Sequence, residues 1–170
     1  MQNDVTEGQT VRANRSCGEC TACCEGWLSA QELDMYAGSP CKHRTSEGCA
    51  IYHERPTNPC KTFQCGWLSG ALPEDVRYRP DQCGAILLTD RQQAGWRVWR
   101  AVPAGRSVPE KTLDELRLLA EANEKPFVWV ERVEDFVAEP RKTSKYAIGP
   151  EAFLTALKWD FQQDDIWDLS

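Results

Sequence analysis

Hydrophobic positions along this chain follow two regimes that meet near Gly84. Beyond it, GAILLTD (Gly84 to Asp90) and GWRVWRAV (Gly95 to Val102) are β-type runs separated by RQQA, which predicts a hairpin. Ser107, Val108, Pro109 and Glu110 form a capping-box pattern with the proline in the first turn. Leu113, Leu116, Leu119 and Ala122 then recur at helical spacing. FVWVERV, after Pro126, reads as another strand. Gly149, Pro150 and Glu151 open a last helix with Phe153, Leu154 and Leu157 on its inner side, and the acidic end DFQQDDIWDLS is expected to fray.

Before Gly84 neither period holds. From Cys17 to Cys83 turn formers interrupt the chain (Gly38, Pro40, Gly48, Pro56, Pro59), and a short helix is expected only at Ser29 to Tyr36, with Ser29 as cap and Glu32 three residues later. Residues 1–16 are polar and read as a mobile arm. The pattern predicts an α+β fold in which a loop-rich, cysteine-rich lobe over 17–83 packs on a small antiparallel sheet with two or more helices over 84–170, as parts of one domain. A chain of 170 residues with 41% hydrophobic content suits that size. Trp96, Trp99, Trp129 and Trp159 read as core or groove packing, the alternative being surface anchors for a protein partner.

Charge removes one class of function. The net charge is -6, and residues 1–85 carry 8 basic and 11 acidic side chains against 12 and 15 in residues 86–170, so there is no basic stripe for nucleic acid. No apolar run has the length to span a membrane and MQNDVTEGQTVRANRS is no signal peptide, which leads to the expectation of a cytoplasmic protein.

That expectation bears on the 9 cysteines. Thiols stay reduced in the cytoplasm and the count is odd, so a disulfide framework is a poor reading and metal ligation leads. CGECTACC places Cys17, Cys20, Cys23 and Cys24 within one short stretch, and Cys41, Cys49, Cys60 and Cys65 follow. A helical Cys17–Cys24 would put Cys17, Cys20 and Cys24 on one face, with Cys23 projecting about 100° away from Cys24. Eight thiolates exceed the four that one tetrahedral ion takes; two sites, a bridged binuclear site, or one cluster plus spare thiols would absorb them. Two zinc ions in eight thiolates leave about -4, and four thiolates around one oxidised iron–sulfur cluster about -2, so charge does not choose between them. No catalytic constellation is visible: the chain lacks both a glycine-rich fingerprint and the C-x3-C-x2-C radical pattern.

The motif C-x2-C-x2-C-C, then Cys41, then CAIYHERPTNPC with Ile51, Tyr52, Arg55 and Pro56, then CKTFQCGWL, resembles the YkgJ family of zinc- or iron-chelating proteins, known as the CxxCxxCC family. LPEDVRYRPDQCGAILL is similar to members that continue into an R-P-D segment, and the resemblance extends from Cys17 to about Leu88. It implies metal chelation with Cys17, Cys20, Cys23, Cys24, Cys41, Cys49, Cys60 and Cys65 as ligands. Zinc is the favoured ion, and iron or an iron–sulfur cluster the alternative. A similar cysteine domain in flagellin lysine N-methylases keeps open a redox or methyl-transfer enzyme. Cys83 lies outside the motif and reads as a small buried hydrophobe, His43 and His53 as solvent-facing or supporting groups, and Arg55 as a holder of loop carbonyls or of Glu25 or Glu54.

Overall fold

The computed structural model describes residues 15–135, 138 and 143–160. The expected hairpin is formed by β3 (Ala85–Gln93) and β4 (Trp96–Pro103), numbered after a two-residue pair in the cysteine half, β1 (Arg44–Thr45) and β2 (Gly48–Cys49). Most of RQQA is strand rather than loop: only Ala94 and Gly95 turn, with φ of 49° and 79°, the two left-handed residues of a turn that matches strand twist. The register slips between Leu88 and Arg91, where β3 bulges.

Helix α2 (Glu110–Ala122) carries the chain across, so that β5 (Phe127–Arg132) pairs parallel to β4, and β6 (Thr143–Ile148) returns antiparallel on its far side. The α+β class holds, but the sheet, ordered β3-β4-β5-β6, is mixed rather than antiparallel. A helix inserted between two neighbouring strands returns the second in the direction of the first. Strand β6 has no counterpart among the runs read from sequence; its exposure alternates weakly. The capping box does not form: Pro109 occupies the cap and no side chain bonds the first turn. Leu116 and Ala120, with Leu113 and Leu119 at the margin, form the buried stripe of α2, and Ala122 is exposed.

Alternate residues of the central strands serve different cores. Val98 and Val128 cluster with Phe153 and Leu157 of α3 (Glu151–Asp160). Trp99, Ala101 and Phe127 belong to the larger cluster with Leu116 and Ala120 of α2 and with Leu28, Cys65 and Trp67 of the cysteine half. Trp99 is therefore core, while Trp96 and Trp129 are half-buried and the Trp159 side chain lies outside the description.

The cysteine half docks through backbone groups as well. Gly66 N–H donates to the Leu87 carbonyl of β3 at 2.7 Å. Arg15, assigned by sequence to the mobile arm, donates from Nη1 to the Trp67 and Leu72 carbonyls at 2.6 and 2.9 Å; residues 1–14 lie outside the described residues. A short helix α1 (Pro80–Cys83) leads into β3. Among the described residues no helix is long and apolar enough to cross a membrane.

Candidate metal centre

The α-helix that would have aligned Cys17, Cys20 and Cys24 is not formed. Cys17 to Cys20 is a turn closed by Cys20 N–H to the Cys17 carbonyl at 2.9 Å, followed by one 3-10 turn, Ala22–Glu25, which Gly26 ends in a left-handed conformation. At three residues per turn consecutive side chains diverge by about 120°, so Cys23 and Cys24 face different surroundings. The helix expected at Ser29 to Tyr36 is likewise one 3-10 turn, Gln31–Leu33, because Ala30 and Met35 pair backbone to backbone around it and Asp34 turns left-handed.

Burial first, then the neighbouring Cys65, Cys20, Cys17 and Cys24 in that order, push the Cys23 thiol well above its ordinary value. Cys24 is raised from 9.0 to about 11 by burial first, then by Cys41, Cys49, Cys60 and Cys17. Cys60 is raised by burial, then by Cys41 and Cys49. The larger of these mutual effects group Cys17, Cys20, Cys23 and Cys65 on one side and Cys24, Cys41, Cys49 and Cys60 on the other, with smaller effects of Cys24 on Cys23 and of Cys17 on Cys24 crossing between the groups. Packing divides six of them in the same way: Cys20, Cys23 and Cys65 belong to the main core, whereas Cys24, Cys41 and Cys60 pack with Ala30, Leu33 and Met35 in a satellite cluster. Cys41 N–H to the Cys24 carbonyl, 2.8 Å, joins the two segments of the second set.

All eight line one cavity of about 450 Å³. None is in a disulfide. Among the described residues no group of three or more Cys, His, Asp or Glu side chains is placed so that it could hold a metal ion. The eight thiols are nonetheless donors of the kind that thiolate sites take, and a site would close only if sulfurs drew together. Cys83 is not on the cavity lining; it is buried, its thiol donating to the Ala85 carbonyl at 3.3 Å. His43 lines the cavity and His53 does not, its ring standing edge-on to Tyr52.

Charged side chains flank both sets. Arg55 stacks over the Tyr52 ring at 3.8 Å and donates to the Tyr52 carbonyl at 3.1 Å, so it holds a loop carbonyl, as one of the sequence expectations has it. Its cation works against the rise at Cys60. Glu25 is taken by others: its carboxylate accepts from Thr21 (2.7 Å), Trp27 (3.1 Å) and Arg44 (3.1 Å), and these bonds, Thr21 foremost, hold it below the ordinary carboxylate value.

Arg79 and Asp81 are site neighbours that sequence reasoning did not single out. Arg79 grips the Asp81 carboxylate with two bonds, 2.6 and 2.8 Å. Burial pushes Asp81 up, but hydrogen bonds from Arg79, Gln82 and Cys20 outweigh it and hold the carboxyl below its usual range. Cys20 is in turn raised to about 11, chiefly by burial. Their only signal was their place in RYRPDQC.

Comparison with models of known protein families, with curated proteins and with solved structures finds no match to this chain.

Proposed function

We propose that this protein chelates metal through its eight clustered cysteines, in two sets of four: Cys17, Cys20, Cys23 and Cys65, and Cys24, Cys41, Cys49 and Cys60. The observation that carries the reading is that eight thiols spread along the chain from Cys17 to Cys65 all line one cavity, unpaired, while the ninth is elsewhere. The resemblance of the cysteine motif to the YkgJ family, carried by the same cysteines, points the same way. Zinc is the ion proposed. It takes closed sites of four thiolates at about 2.3 Å and stabilises small lobes by on the order of 10 kcal/mol in peptides, which suits a region with few regular elements. The chain's own residues supply the donors, Arg55 and Arg79 the neighbouring positive charge, and Phe63 and Trp67 an apolar wall.

An iron–sulfur cluster in one set is the second reading, favoured by that same wall, since limited solvent access suits such clusters. Elemental analysis and a visible spectrum of untagged protein, purified anaerobically, separate the two. Two zinc ions per chain and no visible absorption are expected, falling to one ion in Cys20→Ser and in Cys60→Ser. Visible absorption with stoichiometric iron replaces zinc by a cluster. Protein that takes up no metal in metal-replete medium overturns the reading.

A further inference from the structure

We infer that the two thiol sets are unequal: Cys17, Cys20, Cys23 and Cys65 hold a structural ion, and Cys24, Cys41, Cys49 and Cys60 hold an exchangeable one, given up to an external chelator. This rests on the metal-binding reading above and asks what each set does.

The inequality follows from what surrounds each set. Cys65 is followed by Gly66, bonded to β3, and Cys20, Cys23 and Cys65 pack among residues that include Leu87 and Trp99 of the sheet. To free Cys20, Cys23 or Cys65, chain must be pulled from the main core, while Cys17 is exposed. Three of the other set's four thiols, Cys41, Cys49 and Cys60, are carried by a segment, residues 29–62, from which no residue joins that core, while Cys24 adjoins Cys23 on the 3-10 turn. The segment's regular structure is limited to one 3-10 turn, the two-residue pair β1–β2, and the helical turn Thr57–Lys61, broken at Asn58. Its own cluster has only Ala30, Leu33, Met35 and Cys41 as fully buried members.

A thiolate-bound ion leaves as incoming ligands replace its thiolates one by one, which requires the chain carrying them to open. Opening a segment with a small cluster of its own is a local event, and opening one built into the main core approaches global unfolding. The set of Cys24, Cys41, Cys49 and Cys60 therefore exchanges by local opening of residues 29–62, and the set of Cys17, Cys20, Cys23 and Cys65 does not.

The test uses the full chain loaded with two equivalents of zinc and mixed with excess 4-(2-pyridylazo)resorcinol, whose absorbance counts released ion. One equivalent should leave about 100-fold or more faster than the second, and the second at the rate at which tryptophan fluorescence reports unfolding. Cys60→Ser and Cys49→Ser should abolish the fast equivalent and keep the slow one. Hydrogen exchange on the unmutated chain after the fast phase should show amides of residues 29–62 open and those of β3 to β5 protected. Release of both ions in one phase, loss of the slow equivalent in Cys60→Ser, or loss of protection in β3 to β5 after the fast phase overturns the inference. Two ions leaving together defeat it alone; a chain that binds no zinc defeats the metal-binding reading as well.

Discussion

Arg132 Nη2 donates to the Trp27 carbonyl oxygen at 2.6 Å, bridging the end of β5 to the loop that follows the cysteine-rich turn. The same guanidinium donates to the Gly105 carbonyl at 3.0 Å and the Pro103 carbonyl at 3.4 Å and lies 5.6 Å from the Trp27 ring centre. It is 6% exposed, and burial lowers it to about 10, so it stays charged at neutral pH. One cation thus pins the cysteine half to the sheet.

Arg132→Ala should lower the unfolding free energy by about 2–4 kcal/mol, because buried carbonyls lose a charged donor and an unmet buried acceptor costs about 1–3 kcal/mol. Arg132→Lys should recover only part of this, since one ammonium does not reproduce the planar fork. Urea denaturation followed by tryptophan fluorescence measures both; a loss below about 0.5 kcal/mol for the alanine variant would mean the seam is held elsewhere.

Gly26 closes the 3-10 turn at φ 84°, and a Cβ there would run into the Tyr36 carbonyl oxygen and come within 2.8 Å of the Ser39 carbonyl oxygen. Gly26→Ala should cost at least about 1–2 kcal/mol from the left-handed backbone alone, and the clash displaces the start of the segment that carries Cys41, Cys49 and Cys60. The expected outcome is loss of about one of two bound zinc ions, with faster hydrogen exchange in residues 29–62 and unchanged protection in β3 and β4. Full zinc content with ordinary exchange would show that the segment tolerates the shift.

The sheet half was legible because its apolar residues obey a period: the hairpin, α2, β5 and α3 were all read from spacing. What escaped was set by tertiary partners. The parallel pairing of β5 depends on where α2 lands, and β6 has too little alternation to be seen. In the cysteine half the identity of the thiols lining the cavity was readable, and the exclusion of Cys83 with it. Their partition was not. Helical spacing grouped Cys24 with Cys17 and Cys20, but a turn and a 3-10 turn replace the helix, and Cys24 goes instead with residues from Cys41 to Cys60.

Cys83→Ala separates the ninth thiol from the rest. Cys83 is 8% exposed in the main core and lies off the cavity. Its replacement should leave zinc content at the unmutated value while lowering stability by about 1 kcal/mol through lost packing. Elemental analysis beside a urea curve checks this, and a fall in zinc would place Cys83 among the ligands.

Zinc loading should depend steeply on pH, and the sign follows from the thiols. Burial first raises Cys20 and Cys24 from 9.0 to about 11, favouring the neutral thiol. A ligand must be the thiolate, so each sulfur gives up a proton when the ion enters, about four per ion at neutral pH. Apparent affinity therefore rises with pH while the free thiols remain protonated, which for Cys20 and Cys24 holds until the pH approaches about 11. Lowering pH favours the protonated, metal-free chain and must release zinc. Titration calorimetry at pH 7 in two buffers of different ionisation enthalpy counts the protons, and chelator competition at pH 6, 7 and 8 gives the slope. Fewer than about two protons per ion, or an affinity flat over that range, would mean that sulfur is not the principal ligand, since carboxylates are already ionised there and bind without releasing a proton.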